Sequence, residues 1–223
     1  MRFINILTVT TVALALIGCG GGGGGGSSSS GPTVFSLFDP VLATVGGTRT
    51  FNLTGSSNAG DTLTAVWSIA RRADTTLGGQ PVQQFDQLIT ITFVNTGQVV
   101  PASVTTYTNA AGTLVQSVNN NTGDVGLPDG PQTPLPATAV IGAFGTAGDT
   151  SYSDGSSAMN SWRLDAHPGS SSQADLTNFI TFVSITALNF DAQAIRVIDS
   201  SGNTLGLRLA YFYEDGTTVD LST

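Results

Sequence analysis

The sequence predicts an all-β protein, an antiparallel sandwich or barrel of about ten strands. Three observations carry this. First, apolar and polar residues alternate with period two, as at Leu63, Ala65, Trp67 and Ile69, and again at Leu205, Leu207, Leu209, Tyr211 and Tyr213. Second, long charged helix formers are nearly absent: there is no lysine, and Glu214 is the only glutamate. Third, Asn, Asp, Gly and Ser cluster between the alternating segments, as at Ser200-Ser201-Gly202-Asn203, where they favour turns.

The candidate strands fall in two sets. The first comprises residues 48–54, 62–71, 83–94, 98–108 and 113–118. The second comprises residues 149–153, 160–166, 175–188, 193–199 and 203–213. Residues 179–187 are apolar on both faces, which predicts a central position. The sets share short matches in the same order: Trp67-Ser68-Ile69 with Trp162-Arg163-Leu164, and Asn109-Ala110-Ala111-Gly112-Thr113 with Asp199-Ser200-Ser201-Gly202-Asn203. The order predicts a tandem duplication of a five-stranded unit, with repeats over residues 33–118 and 137–223. Residues 119–136 hold Pro128, Pro131, Pro134 and Pro136 and read as a linker or a surface crossover, because proline cannot donate to a ladder. Two small domains and one shared core both fit this pattern.

The N-terminus carries an address. Arg2 precedes an apolar run over residues 3–17, broken only by Asn5 and threonines. The run falls short of the ~20 residues that span a bilayer. Gly18 and then Cys19, the only cysteine, follow. Residues 1–18 therefore read as a secretory signal peptide. Leu16-Ile17-Gly18-Cys19 resembles the lipobox of bacterial lipoproteins. The resemblance implies that a signal peptidase recognises Leu16, Ile17 and Gly18 and cuts before Cys19, whose sulfur and amine then take acyl chains. Gly20, in place of aspartate, is similar to the Gram-negative class sorted to the outer membrane. The implied location is a lipid anchor there, facing the periplasm or the cell surface. Residues 20–26 are all glycine and residues 27–30 all serine, a flexible tether with a root-mean-square reach of ~20 Å. Many Gram-negative lipoproteins carry a similar polyglycine tether, so residues 19–32 read as the lipidated cysteine and its leash.

The remaining chemistry is sparse. The sequence pI of about 4.2 argues against nucleic acid as a partner. The absence of lysine excludes Schiff-base chemistry. His167, the only histidine, lies two residues after Asp165 at a strand end before Pro168, the place of a surface residue. Arg71-Arg72 reads as a solvated strand end, and Trp67 and Trp162 as core residues on matching strands. Zinc lacks ligands here, and the aspartate-rich loops fit turns better than calcium. No catalytic set, metal site or cofactor is read. The expectation is a lipid-anchored, β-rich module of the cell envelope, serving in binding or structure, with the membrane as its partner through the lipid. An envelope hydrolase using aspartates and a lipocalin-like carrier of a small apolar ligand are the alternatives.

Overall fold

Alternation along each strand dictates a sheet with one dry face, and the chain hides that face by rolling the sheet shut. The computed structural model describes residues 32–185 and 187–223. The strands in chain order are β1 (Val34–Ser36), β2 (Thr48–Ser57), β3 (Thr62–Arg71), β4 (Thr75–Leu77), β5 (Gln80–Phe93), β6 (Gln98–Thr108), β7 (Leu114–Asn119), β8 (Val125–Asp129), β9 (Thr138–Val140), β10 (Phe144–Tyr152), β11 (Ser157–Ala166), β12 (Gln173–Val183), β13 (Phe190–Asp199), β14 (Thr204–Tyr213) and β15 (Thr218–Ser222). Among the described residues there is no helix.

Twelve of these strands form one closed antiparallel barrel. Running round the wall, the order is β3, β2, β15, β14, β13, β12, β11, β10, β8, β7, β6 and β5, and β5 pairs back onto β3. That last seam is long, from Leu63 opposite Phe93 to Arg71 opposite Phe85. The seam between the last strand and the first is short, from Val219 opposite Ser57 to Ser222 opposite Thr54. β4 folds back on β5 as a hairpin at the rim, and β1 pairs with β9 in a separate two-stranded sheet.

The all-β, antiparallel expectation holds, with twelve wall strands where about ten were read. Each half contributes six of them instead of five, because two short strands escaped the reading. One is β15. The other is β8, inside the stretch taken as a linker. Pro128 is tolerated there because β7 meets β8 only at Val125 and Gly126, so that Pro128 has β10 as its single ladder neighbour. The chain therefore makes one barrel with one shared interior. Residues 179–187 also need correction. β12 stops at Val183 and Ile185 is 70% exposed. The Asn189 carboxamide accepts from the Ser184 N–H and the Ser184 hydroxyl accepts from the Ala187 N–H, which turns the chain into a loop.

The matching turns behave alike. In one, Asn109 N donates to Thr113 O, and the Asn109 side chain accepts from the N–H groups of Ala111 and Thr113. In the other, Asp199 N donates to Asn203 O, and the Asp199 carboxylate accepts from Ser201 and Asn203. Gly112 and Gly202 take the positive φ that each turn requires. Trp67 and Trp162 both occupy the sixth position of their strands and point inward.

The interior is apolar over most of its circumference. Leu63, Ala65, Trp67 and Ile69 of β3 meet Phe85, Ile89, Ile91 and Phe93 of β5, and Leu207, Leu209 and Leu221 lie in the same cluster. At one end of the lumen Phe190 stacks on Phe182 with ring centroids 5.0 Å apart and packs tilted against Tyr213 at 5.6 Å. Burial pushes the hydroxyls of Tyr152 and Tyr211 up to about 12. The other end is corked by the N-terminal segment. Phe35 and Leu37 sit among Trp162, Leu164, Leu176 and Ile198, and are essentially inaccessible. Below them, the Asp39 carboxylate is clasped by Arg49 at 3.0 Å, with Thr204 Oγ1 donating at 2.7 Å and the Val41 N–H at 2.9 Å. The guanidinium of Arg196 is wholly buried and donates to the Leu37 carbonyl at 2.8 Å. Burial pulls it down to about 10, so it stays charged at neutral pH.

Candidate functional site

The outer wall mixes polar side chains with single exposed apolar ones such as Val66, Leu88 and Leu205. Threonines and serines dominate it on β2 and β3, and ion pairs sit on the strands themselves, Arg208 with Asp220 and Arg163 with Asp165, with Arg72 just past the end of β3 paired to Asp86 of β5. Such pairs would be costly against hydrocarbon. No helix of the described residues is long and apolar enough to cross a membrane.

Inside, polar side chains concentrate in one sector. Inward positions on β6, β7, β10, β11 and β12 carry Thr106, Thr108, Ser117, Thr150, Asn160 and Asn178. Cross-strand register places Asn178 beside Trp162 on one side and Ala194 on the other. Neither offers an acceptor, and the Asn178 Nδ2 group is buried without a hydrogen-bond partner. The Oγ1 atoms of Thr106 and Thr108 are likewise unpartnered and fully buried. Gln83, opposite Thr108, leaves its carbonyl oxygen unpaired.

A cavity of about 30 Å³ lies in this sector at the corked end. Asn160, Trp162, Asn178, Thr150 and Tyr152 form its floor and walls. Its rim is the β6–β7 turn at Gly112–Leu114 and the proline segment at Gln132, Thr133 and Leu135. No lining residue is charged. The proline segment is strapped to β10 by Thr133 N donating to Ala147 O at 2.8 Å and by Gln132 Nε2 donating to Asp149 O at 2.7 Å. β10 shifts register between Thr146 and Gly148, and Gly148 leaves room for Gln132: a Cβ there would stand 2.6 Å from its amide. The prolines read as a connector are thus a strap over the polar sector.

Other candidates read from the sequence are dispersed. His167 pairs through Nδ1 with Asp175 at 2.7 Å, while Asp165 pairs with Arg163, so the two residues do not act together. Arg71 is not solvated. It points inward, 3% exposed, with its guanidinium 5.0 Å from the Phe85 ring centroid and donating to Asp74 and to the Arg72 carbonyl. Its position opposite Phe85 on the inner face of the closing seam buries it. In the aspartate-rich loops, Asp154 and Asp215 accept from backbone N–H groups two residues on. Among the described residues no group of three or more His, Cys, Asp or Glu side chains converges. An open groove of about 310 Å³ at the aromatic end has Asp191 and Glu214 on its walls; both are exposed, accepting from Thr181 and Asn189. Leu16, Ile17, Gly18 and Cys19 lie outside the described residues.

Comparison with protein-family models, with curated proteins and with solved structures finds no match.

Proposed function

We propose that this chain is a lipid-anchored binding module of the cell envelope, a water-borne barrel tied to the outer membrane through acylated Cys19. The observation that supports this most is the outer wall. Its ion pairs and threonines suit solvent, so attachment falls to the leader, where Leu16-Ile17-Gly18-Cys19 resembles a lipobox. The two six-stranded halves are read as copies of one unit, in line with their matching turns and tryptophans. Binding is favoured over catalysis because the polar sector holds unpartnered neutral groups, whereas the carboxylates of the open groove are exposed and held by neutral donors. The polar lining of the cavity favours a polar ligand over the apolar cargo of a lipocalin-like carrier.

Cys19→Ser is expected to leave unprocessed precursor and abolish incorporation of a labelled fatty acid. The test is metabolic labelling followed by mass spectrometry of the N-terminus. Normal labelling of the variant, or a native protein that begins upstream of Cys19 without acyl chains, would overturn the anchor.

A further inference from the structure

We infer that the cavity beneath the proline strap is a recognition pit for the hydroxymethyl group of a neutral polyol or saccharide. Four features carry this. The first is a buried donor without a partner. Asn178 is 8% exposed, lines the pit, and leaves Nδ2 unsatisfied. An unmade hydrogen bond at a buried amide is destabilising, and a ligand that supplies an acceptor removes the penalty.

The second is charge. None of the lining residues is ionisable at neutral pH, and an ion in so enclosed a place would have no counter-charge. The ligand is therefore neutral. The third is size. One water needs roughly 10–15 Å³ of such space, so a cavity of about 30 Å³ holds two heavy atoms. A methylene carbon and its hydroxyl oxygen are two heavy atoms. The fourth is the composition of the walls. Trp162 and Tyr152 offer apolar faces to the methylene, while Asn160, Asn178 and Thr150 offer amides and a hydroxyl to its oxygen. A hydroxyl both donates and accepts, so it can meet either atom of the Asn178 amide. The rest of the ligand would lie outside, between Gly112–Leu114 and the strap.

The hydroxymethyl could come from a free polyol or from the end of a saccharide. Full-length mature protein in detergent would be titrated with glycerol, with maltose and with myo-inositol, which has only secondary hydroxyls. The readout is the ¹H–¹⁵N signal of the Asn178 side-chain amide. Saturable shifts are expected with glycerol or maltose, and binding of myo-inositol at least roughly tenfold weaker, the loss expected when one buried hydrogen bond goes unmade. Tighter binding of maltose than of glycerol would assign a saccharide end; the reverse would assign a free polyol. In Asn178→Leu, binding should fall by roughly tenfold or more, while the urea midpoint should stay level or rise, because a buried unsatisfied donor has been removed. A merely structural asparagine would give a lower midpoint instead. No saturable shift with either ligand, or equal affinity for myo-inositol, would overturn the assignment. The wild-type titration decides the matter alone should the variant fail to fold. Neither result depends on the lipid at Cys19.

Discussion

Asp39→Ala is expected to destabilise the barrel by about 3–5 kcal/mol, the loss typical of breaking a buried ion pair from one side. The Asp39 side chain is 1% exposed and that of its partner Arg49 25%. Removing the carboxylate strands Arg49, withdraws the acceptor of the Thr204 hydroxyl, and takes away the nearest negative charge favouring the buried Arg196. The effect carries a pH signature. Burial alone would raise the Asp39 pKa, but the bonds from Arg49, Thr204 and the Val41 N–H outweigh it and hold the carboxyl below its ordinary value. A depressed folded-state value means that the contribution is complete above the unfolded carboxylate value of about 3.9 and fades as pH falls through the folded one. Urea midpoints of wild type and variant should therefore differ most near neutrality and converge in strong acid. Equal midpoints at neutral pH would show that the clasp contributes nothing.

Gly55→Ala is the second large effect, expected at about 3 kcal/mol from forced overpacking. A Cβ at Gly55 would stand 1.7 Å from the backbone carbonyl oxygen of Asp220, and a carbonyl held in a ladder cannot swing aside as a side chain can. The site lies in the short seam between β15 and β2, so the strands must part where only Val219–Ser222 and Thr54–Ser57 hold them together. Gly60→Ala is the control. Its φ of +90° is unfavourable for alanine but its surroundings are open, so only the conformational cost of about 1–2 kcal/mol applies. Hydrogen exchange at β15 should accelerate in the first variant and not in the second. Unchanged protection of β15 in Gly55→Ala would contradict the close approach.

The strands most legible in the sequence are those with one wet and one dry face. β3 and β6 coincide with the segments read from alternation, because each sends every second residue into one interior. β8 and β15 were not legible for the opposite reason. Each is five residues long, and β8 contains a proline and a glycine that local rules assign to turns. Their place is fixed by the need to close the wall, a demand that no window of a few residues expresses. Arg71 misled in the same way: its charge suggests solvent, whereas the β3–β5 seam turns it inward. The polar sector was hidden because Thr106, Ser117 and Asn178 look like surface residues until the register shows which face they share. The proline segment reads as a linker or a surface crossover, and its strapping to Ala147 and Asp149 was not legible because those hydrogen bonds are tertiary.

The cork has a mechanical consequence. Tension applied through residue 33 first meets β1, paired to β9 at three positions, and then the Ser36 and Leu37 amides bonded to Ser200 and Ala137. Behind them stand the Arg196 grip on the Leu37 carbonyl and the clasp around Asp39, all reached before the load arrives at β2. A pull on residue 33 would thus be spread over contacts to β9, β13, β14 and the proline segment, so the barrel would resist being unravelled from its N-terminal side.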